Sequence, residues 1–394
     1  LDIIFLHNVT HKIKLKATWD PIVFSKNHQT KAIIPLTKKA ASKIDFESTL
    51  NALLQHPNIA SKQSVVRQYD HEVQGGSIIK PFMGTDHDAP TDASVFRPKL
   101  NSWKGLVISN GMNPEVGKWD PYVMAKMSVD EAYRNLIAVG GGIKYAAILD
   151  NFCWGDSKNE FELGGLIRAS EGAKEAAMIY GLPFISGKDS FNNTWKTSDG
   201  TLHSIPPTLL ISAMGVLEDV RTCVSSSLKT NGNLIYLVGI TRPEMKGSVA
   251  SQLWGEEGEL SDFSLQDSKN LYKKFLMALR NRLIISCHDI SDGGMAIAAL
   301  EMAFGSSLGL ELNLKSDIEP SVQLFSETPS RFLVEIAPEN KGSFETIMGL
   351  AFVTELGKVI TKKEFIVRNS QSTLIQQSVL DCKTLWKESL KALS

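Results

Sequence analysis

Residues 120–150 constrain the fold of this chain more tightly than any other part of its sequence. The stretch opens with Asp-Pro, a typical helix start, because Asp accepts the first free amides and Pro fits the first turn. Apolar residues then recur at helical spacing from Val129 to Leu136, and three glycines at 140–142 interrupt the pattern. The apolar segment KYAAILD follows at once. Together these features predict a helix that ends sharply and leads into a buried strand.

Elements of the same kinds are predicted along the rest of the chain. Apolar spacing predicts helices over 46–55, over 161–180 before Gly181, over 265–280, and in GGMAIAALEMAF. We predict strands in KIKLKATW, KGLVIS, PFIS, IPPTLLISAMGVL, LIYLVGI, LIISCHD, SRFLVEIAP and FIVRN, and a strand, glycine turn and strand in VVRQYDHEVQGGSIIKPF. Because helices and strands mix without strict βαβ alternation, we expect an α+β fold with helices packed on mainly antiparallel sheets.

Length and charge limit the possible functions. At 394 residues the chain is long enough for two domains, and the polar interval at 218–230 is a candidate boundary between them. Its 42 basic and 43 acidic residues give a formal net charge of −1. The chain therefore has no overall field that would draw it to nucleic acid or to an anionic membrane. Small anionic substrates would have to be bound by local groups.

No segment predicts export or membrane insertion. Apolar runs stay below the roughly 18 residues needed to span a bilayer, and no basic segment followed by an apolar core predicts a signal peptide. The four cysteines are far apart and form no CxxC pair, which argues against a disulfide framework or a zinc site. We therefore expect a cytoplasmic protein with reduced cysteines. Because the chain begins with Leu1 rather than Met, we also expect it to be a piece of a longer protein.

The segment ISGKDSFNN contains Gly187 and Lys188 and looks at first like a Walker phosphate-binding loop. That loop requires Gly at the position of Leu182 and Ser or Thr at the position of Asp189, and both requirements fail. What remains is a strand end with a cation, a carboxylate and a hydroxyl, which suits a polyanion and a metal held by another architecture. Asp150 ends its own predicted strand and is expected to join this group, although a plain strand-to-loop turn is the alternative.

Three oxygen-bearing side chains elsewhere are candidate metal ligands. Glu131 and Asn135 are spaced i, i+4, so both lie on one face of the predicted helix and offer the hard oxygen ligands that suit Mg²⁺. A solvated polar face explains this pair equally well. Asp92 lies in the Pro-led turn APTDASV, where an Asp usually bonds its own backbone.

The segment CHDISDGG places His288, Asp289, Ser291 and Asp292 directly before a predicted helix. The N-terminus of a helix attracts phosphate, and an Asp there would hold the accompanying metal. The alternative is that Ser291 or Asp292 simply caps the helix.

The segment LFSETPSRFLV carries charged and hydroxyl groups, Glu327 among them, between two apolar segments. It would form either an ordinary loop between strands or part of a substrate cleft between domains. The sequence contains no Ser-His-Asp string, no Cys/His metal-ligand spacing and no interleaving of aromatic and basic residues. These absences argue against a hydrolase, a zinc enzyme and a nucleic-acid-binding protein.

Seven segments carry a family resemblance over roughly residues 55–340: RQYDHEVQGGSIIKP, DPYVMAKMSVDEAYRNLIAVGG, AAILDNFCWGD, PFISGKDSFNN, IPPTLLISAMG, HDISDGGMAIAALEMAF and ETPSRFLV. In this order they resemble the second half of the phosphoribosylformylglycinamidine synthase family, whose members carry two tandem copies of an A and a B domain related to aminoimidazole ribonucleotide synthetase (PurM). The resemblance implies a PurM N-terminal-like A2 domain over 56–220 and a PurM C-terminal-like B2 α/β sandwich over 221–394. Residues 1–55 would be a linker and the start of A2.

The resemblance also implies an activity in purine biosynthesis. The family is an ATP-dependent C–N ligase that converts formylglycinamide ribonucleotide and ammonia to formylglycinamidine ribonucleotide, and the ammonia comes from glutamine through a glutaminase domain or subunit. ATP activates the amide oxygen as a phosphate ester, which ammonia then displaces. The implied partners are the first-half A1–B1 domains and the glutaminase, with no nucleic acid and no membrane. A stand-alone, non-catalytic nucleotide-binding or scaffold module of the same superfamily is the alternative.

For the catalytic site, the resemblance implies that Asp150, Gly187 and Lys188 contact ATP and that Ser190 approaches the substrate. Many small family members have a magnesium-ligating Asn where Lys188 stands. A Lys cannot ligate Mg²⁺ but can contact phosphate directly. The catalytic His of the family lies in the first A domain and has no counterpart here, so no catalytic residue is expected in this chain.

Larger family members hold a second, auxiliary nucleotide, ATP or ADP with Mg²⁺. The resemblance places Thr91 and Ser291 near that nucleotide. The magnesium ligands that it implies are Asp92, Glu131, Asn135 and Asp289.

Overall fold

The computed structural model describes residues 2–7, 11–16, 44–70, 72–140, 143–255 and 258–390. Its strands are β1 (Asp2–His7), β2 (His11–Lys16), β3 (Ser77–Ile79), β4 (Phe82–Met83), β5 (Ala89–Pro90), β6 (Ser94–Phe96), β7 (Gly105–Gly111), β8 (Ile143–Cys153), β9 (Phe184–Ser190), β10 (Thr194–Lys196), β11 (Leu202–Ser204), β12 (Thr208–Leu217), β13 (Leu234–Val238), β14 (Ile284–Asp289), β15 (Gly309–Asn313), β16 (Phe332–Ile336), β17 (Val353–Ile360), β18 (Glu364–Arg368) and β19 (Thr373–Ser378).

The α-helices are α1 (Phe46–Gln55), α2 (Gln63–Val66), α3 (Pro114–Gly117), α4 (Pro121–Val139), α5 (Glu160–Tyr180), α6 (Val249–Trp254), α7 (Leu265–Arg280), α8 (Gly294–Phe304), α9 (Pro320–Phe325), α10 (Lys341–Met348) and α11 (Val379–Glu388). Short 3-10 helices lie at Val73–Gly75, Val220–Thr222, Pro338–Asn340 and Leu350–Phe352. Within the described ranges, no helix is both long enough and apolar enough to cross a membrane.

The helix predicted from the Asp-Pro start is confirmed as α4. The side chain of Asp120 accepts a hydrogen bond from the amide of Tyr122 at 2.9 Å, and the helix ends at Val139, before Gly140. The second predicted helix is α5, which ends before Gly181 in the left-handed conformation (φ 78°) that glycine adopts easily. Both helices therefore begin and end within about one residue of the positions predicted from the sequence.

Six strands form the sheet of the first domain, in the order β3-β6-β7-β12-β8-β9. Neighbouring strands are antiparallel except β8 and β9, which run parallel. Helix α4 packs on β7 and β12, and α5 packs on α4. Because helices cover one face, residues along β12 alternate between buried and partly exposed. The expectation of a mainly antiparallel sheet is confirmed, and β9 lies at its edge.

Seven strands form the sheet of the second domain, in the order β14-β16-β13-β17-β15-β18-β19. Only the β15 and β18 pair runs parallel among these neighbours. Helices cover both faces: Phe332 stacks on Phe275 of α7 with ring centroids 4.2 Å apart, whereas the adjacent Leu333 belongs to the core that includes α8. The predicted α/β sandwich is therefore confirmed.

Two segments near the start of the chain differ from simple expectation. The first strand predicted in VVRQYDHEVQGGSIIKPF is wrong for the residues that the structure describes: its beginning belongs to α2, whereas the second strand is present as β3. Val65 is 58% exposed, and Val66 packs against the core of the second domain rather than in a sheet of the first. Helix α1 precedes the first domain in sequence, but its Leu50 and Leu53 are buried in the core of the second. The domain bounds at residues 55 and 220 stay predictions.

Candidate functional site

The predicted site residues lie at two separate places in the fold. The first place is where α4 of the first domain meets β14 of the second. We call the group there the interdomain acid cluster; its members are Asp92, Glu131, Asn135, His288 and Asp289. The second place is the paired ends of β8 and β9. We call this group the strand-end site; its members are Asp150, Gly187, Lys188 and Ser190.

His288 of the interdomain acid cluster lies between two carboxylates. Its Nδ1 lies 2.6 Å from Oδ1 of Asp92, and its Nε2 lies 2.9 Å from Oε2 of Glu301. The backbone amide of Asp289 donates to the same Asp92 oxygen at 3.0 Å. Burial alone would lower the pKa of His288, but the charges and hydrogen bonds of Asp92 and Glu301 raise this pKa well above its usual value. We therefore assign an imidazolium that donates to both carboxylates.

Arg134 on α4 joins the cluster to a further buried carboxylate. Its Nη2 donates to Oδ2 of Asp289 at 3.1 Å, and its Nη1 donates to Asp130 one helical turn earlier. The side chains of Arg134 and Asp130 are only 4% and 0% exposed. One guanidinium is thus shared between two carboxylates, of which only Asp289 belongs to the cluster.

Glu131 and Asn135 both point toward the end of β7. Oε2 of Glu131 accepts hydrogen bonds from the amide of Met112 at 2.8 Å and from Nδ2 of Asn113 at 2.9 Å. Nδ2 of Asn135 donates to the carbonyl oxygen of Asn110 at 3.0 Å. The pair therefore lies against the sheet of the first domain and is not a freely solvated polar face, which was the alternative explanation of its spacing.

The charge and the unpaired atoms of the cluster suit a divalent cation. Burial raises the pKa of Glu131 to about 8 and that of Asp289 to about 7; Arg134 opposes both shifts, and neighbouring carboxylates add to them. Carboxylate oxygens of Asp92 and Asp289 lie within 4.8 Å of each other. Among the described residues, Oδ2 of Asp92 and Oδ1 of Asn135 are buried without a hydrogen-bond partner. Mg²⁺ prefers oxygen ligands of this kind, so each of these unpaired buried oxygens is a candidate ligand.

A cavity of about 210 Å³ lies beside the cluster. Met112 and Asn113, which hold Glu131, form part of its wall. Its charged members are the ammonium of Lys62 and the carboxyl groups of Glu115, Asp292 and Glu327. The Nζ of Lys62 donates to backbone carbonyl oxygens of the turn before α2, which fixes its position. Sequence reasoning missed Lys62, because a single Lys in an ordinary polar segment carries no local mark of a site.

The start of α8 is not capped by Ser291 or Asp292, so that interpretation is wrong. Gly293 takes the N-cap position in the left-handed conformation, with φ 81° and no side-chain cap. Oε1 of Glu327 instead accepts from the amides of Gly293 at 2.7 Å and Val249 at 2.9 Å. Burial raises the pKa of Glu327 well above its usual value, and the charge of Asp292 adds to this. Glu327 also lines the 210 Å³ cavity.

Thr91 directly precedes Asp92 in sequence, and Ser291 lies two residues after Asp289. The hydroxyl of Thr91 donates to the carbonyl oxygen of Lys80 at 2.6 Å, and the carbonyl oxygen of Ser291 accepts from the amide of Gly294 at 2.9 Å. These contacts are internal to the protein, so the expected roles of both residues near a nucleotide stay predictions.

Asp150 and Gly187 face each other in the strand-end site. They are direct partners in the parallel register of β8 and β9. A Cβ atom on Gly187 would lie 2.5 Å from Oδ1 of Asp150, so the carboxylate occupies space that only glycine leaves open. Burial raises the pKa of Asp150, and the neighbouring Asp189 adds to the shift. The predicted association of these two strand ends is confirmed by the pairing.

Lys188 and Ser190 project from the opposite face of β9, because side chains alternate along a strand. The Nζ of Lys188 donates to Oγ of Ser190, which shows that the two share that face. Lys188 is exposed. The structure therefore brings Asp150 together with Gly187, and Lys188 together with Ser190, but it does not gather all four into one pocket.

A cavity of about 630 Å³ lies on the Asp150 side of the sheet, between α5 and the start of β9. Its wall is mainly apolar and includes Phe152, Ala173 and Phe184. Asp150 and Lys174 are its charged members. The volume suffices for a small organic ligand, with the Asp150 carboxylate at its boundary.

Two family models match the chain. "AIR synthase related protein, N-terminal domain" matches residues 90–217, and "AIR synthase related protein, C-terminal domain" matches residues 230–369. Among curated relatives, "Phosphoribosylformylglycinamidine synthase subunit PurL" of Thermoplasma acidophilum is 29% identical over 375 residues, covering 94% of this chain and 48% of that protein. The protein of the same name from Alkaliphilus metalliredigens is 31% identical over 353 residues, covering 89% and 46%. The chain thus spans about half the length of the curated relatives that it matches.

Solved structures agree on the fold. The structure described as T. maritima PurL complexed with FGAR matches with a TM-score of 0.67 and 17% identity, covering 86% of this chain and 53% of that one. The structure described as T. maritima PurL complexed with ATP matches with a TM-score of 0.63 and 18% identity, covering 87% and 53%. At this level of identity, the likeness concerns the arrangement of both domains and not the ligands.

Proposed function

We propose that this chain, which belongs to the AIR synthase related family and carries both of its domains, is the second synthetase half of a phosphoribosylformylglycinamidine synthase. The curated relatives bear that name over about twice this length. The proposed activity is the ATP-dependent conversion of formylglycinamide ribonucleotide to formylglycinamidine ribonucleotide, with glutamine as the source of ammonia. No observation on the described residues favours the alternative of a stand-alone, non-catalytic module.

The observation that carries the proposal is the interdomain acid cluster with its two unpaired oxygens. Asp92 Oδ2 and Asn135 Oδ1 are buried without a hydrogen-bond partner, and Met112 and Asn113, which hold Glu131, line a cavity that Lys62 also lines. Such an arrangement suits a nucleotide polyphosphate with Mg²⁺: the cation binds the oxygens, and the ammonium of Lys62 attracts the phosphates. When bound, Mg²⁺ would supply positive charge that offsets the charge of the phosphates. The ligands would be Asp92, Glu131, Asn135 and Asp289, with Thr91 and Ser291 near the nucleotide.

The strand-end site has a different part in the proposed reaction. Asp150, Gly187 and Lys188 would contact the ATP that activates the amide oxygen, and Ser190 would contact the substrate. Gly187 leaves room for the Asp150 carboxylate, and the exposed ammonium of Lys188 is available to a phosphate group. Since these residues use both faces of an edge strand, the site would be closed only when another element covers that edge. Exclusion of water there would protect the activated intermediate from hydrolysis.

The first-half domains are the proposed covering element. The face of the first sheet opposite α4 carries apolar side chains that are only partly buried, including Leu106, Ile108 and Met214, and Ile108 is 48% exposed. Beside it, Ile185 on β9 is 56% exposed. An apolar face that adjoins an open strand edge is typical of a surface covered by another domain. The proposed catalytic His would come from that half, and a glutaminase would supply ammonia.

The cysteines agree with the proposed cytoplasmic location. Cys153, Cys223, Cys287 and Cys382 are all free thiols in the structure. Burial raises the pKa of Cys223 and Cys382 to about 12, so neither is a reactive thiolate near neutral pH. Unpaired, unreactive thiols are typical of proteins in a reducing compartment.

Calorimetric titration of ATP or ADP into the 394-residue chain, with and without Mg²⁺, tests the nucleotide site. We expect binding that requires Mg²⁺ in the wild-type chain and is lost in Asp92→Asn, because that change removes a charged ligand. Asp86→Asn is the matched control, since Asp86 lies nearby in sequence but is 70% exposed and pairs with Lys383. Nucleotide binding that is unaffected by both Mg²⁺ and Asp92→Asn would contradict the assignment.

A further inference from the structure

Asp130 is a buried carboxylate that has no role in the proposed reaction. It follows the apolar Val129 on α4 and is 0% exposed. Its Oδ1 accepts three hydrogen bonds from hydroxyl groups: Tyr180 at 2.5 Å, Tyr272 at 2.6 Å and Ser330 at 3.0 Å. Burying a carboxylate is costly unless it is paired and hydrogen-bonded, so such a complete set of partners calls for an explanation.

The three hydroxyl groups come from different elements of both domains. Tyr180 ends α5 in the first domain, whereas Tyr272 on α7 and Ser330 before β16 belong to the second. Together they fix the position of Oδ1 and leave Oδ2 to accept from the guanidinium of Arg134. Asp130 is therefore held in one orientation, in which its second oxygen faces Arg134.

Arg134 reaches from Asp130 to the metal-binding residues of the proposed site. Its Nε and Nη2 donate to Oδ2 of Asp289 at 3.3 and 3.1 Å. Without a second partner, the whole positive charge of Arg134 would act on Asp289 and repel an incoming cation. With Asp130 in place, that charge is shared, and the hydrogen bonds from Arg134 to Asp289 both go to Oδ2 rather than to Oδ1.

We propose that Asp130 is a positioning residue for the magnesium site: it holds the guanidinium of Arg134 and so leaves Asp289 with the negative charge needed to bind the cation. The inference rests on the proposed function, because it takes Asp289 as a magnesium ligand. It goes beyond that function in naming a residue that does not itself touch the metal. The relevant property is charge, which separates this role from a purely structural one.

Calorimetric titration of Mg²⁺ alone into four versions of the chain provides the test. In Asp130→Asn the side chain keeps its shape, but Arg134 is left to Asp289, and we expect Mg²⁺ to bind about tenfold more weakly, as one added positive charge at short range would cause. Arg134→Gln should bind Mg²⁺ at least as tightly as the wild type. The double variant Asp130→Asn/Arg134→Gln removes both charges and should return to within about threefold of the wild-type affinity.

Tyr272→Phe is the matched control, since it removes one hydrogen bond to Asp130 and leaves every charge in place. We expect it to lower the melting temperature without changing the Mg²⁺ affinity. A double variant as weak as Asp130→Asn, or an Asp130→Asn variant equal to the wild type, would overturn the inference while leaving the metal site intact. If Asp130→Asn does not fold, a loss of Mg²⁺ affinity in Arg134→Gln overturns it. If the wild type itself binds no Mg²⁺, the proposed metal site fails first, and the inference fails with it.

Discussion

The interdomain acid cluster and the strand-end site both place carboxylates at the ends of strands, yet this chain encloses them to very different degrees. In the cluster, the side chains of Asp92 and Asp289 are 0% and 5% exposed and are held by His288 and Arg134. Along β9, by contrast, all residues before Ser190 are exposed. The interdomain acid cluster is therefore enclosed by contacts within the chain, whereas the strand-end site depends on an element that covers the open edge of the sheet.

The energetic consequences also differ. Buried carboxylates of like charge destabilise a fold unless cations balance them, and the imidazolium of His288 and the guanidinium of Arg134 supply only part of that balance. A bound Mg²⁺ would therefore stabilise the folded chain through the cluster. The strand-end groups lie largely in water, where their charges are screened and contribute little to stability. We therefore expect changes at the cluster to alter the stability of the folded chain more than changes at the strand-end site.

The largest expected effect is the appearance of activity when the strand-end site is covered. We predict that the isolated chain releases no phosphate from ATP in the presence of formylglycinamide ribonucleotide and ammonium, because the family resemblance places the catalytic His, which suits proton transfer, in the first-half domains. Adding a first-half fragment should restore turnover, since it would supply that group and fix the reactants together. Phosphate release measured with and without the fragment checks the prediction.

Variants of the strand-end site complete this experiment. Asp150→Ala and Ser190→Ala should each prevent the restored turnover, while Ser186→Ala, on the same exposed strand, should not. Robust turnover by the isolated chain would show that the catalytic site lies wholly within it, and the contrast between a complete and an incomplete site would then be wrong.

The next largest effect concerns the cluster alone. Glu131→Ala removes an anionic ligand of the proposed metal, and we expect it to weaken Mg²⁺-dependent nucleotide binding by about 1–3 kcal/mol, the usual range for a charged contact. Asp86→Asn, at an exposed carboxylate that pairs with Lys383, should leave this binding unchanged. Calorimetry with and without Mg²⁺ distinguishes the two variants, and equal affinities in Glu131→Ala and the wild type would remove Glu131 from the ligand set.

Gly187→Ala should give a smaller effect, confined to the strand-end site. The added Cβ would lie 2.5 Å from Oδ1 of Asp150, so the carboxylate must turn away. We expect kcat/KM of the complemented enzyme to fall roughly tenfold, as for a misplaced contact in a reacting site. Gly342→Ala is the control, because a Cβ there meets no atom within 4 Å. An unchanged kcat/KM in Gly187→Ala would mean that the position of Asp150 does not matter for the reaction.

Much of the fold follows from local sequence. Helix α4 was predictable at both ends and α5 at its C-terminal end, because the Asp-Pro start of α4, the apolar spacing and the terminal glycines all act within a few residues. The first strand predicted in VVRQYDHEVQGGSIIKPF failed because β-branched residues alone do not provide a partner strand or a buried face. Helix α1 was predictable as a helix, but its packing on the second domain depends on contacts more than 300 residues away in sequence.

The candidate site was predictable only in part, for the same reason. The i, i+4 spacing of Glu131 and Asn135 is a local feature, and it led to the cluster. Lys62 and Asp130 gave no such indication, since their importance comes from neighbours in distant segments. Glu327 was noted as a possible cleft residue, but its bonds to the amides of Gly293 and Val249 had no counterpart in the sequence pattern.

The smallest expected effect is a change in how stability depends on pH, and it separates the buried site from the exposed one. Burial and the charge of Asp292 raise the pKa of Glu327 in the folded chain well above its unfolded value. Between these two pKa values the folded chain binds more protons than the unfolded chain, so the free energy of unfolding falls as pH rises through that window. Glu327→Gln keeps an oxygen for the amides of Gly293 and Val249 but cannot ionise.

Chemical denaturation at pH 5 and pH 8 should therefore show Glu327→Gln close to the wild type at the lower pH and more stable than it at the higher. Ser190→Ala, which changes no titrating group, should follow the wild-type pH dependence throughout. If Glu327→Gln is less stable than the wild type by the same amount at both pH values, the two backbone amides keep Glu327 ionised throughout this pH range. In that case the carboxylate of Glu327 would stay ionised in the folded chain despite its burial.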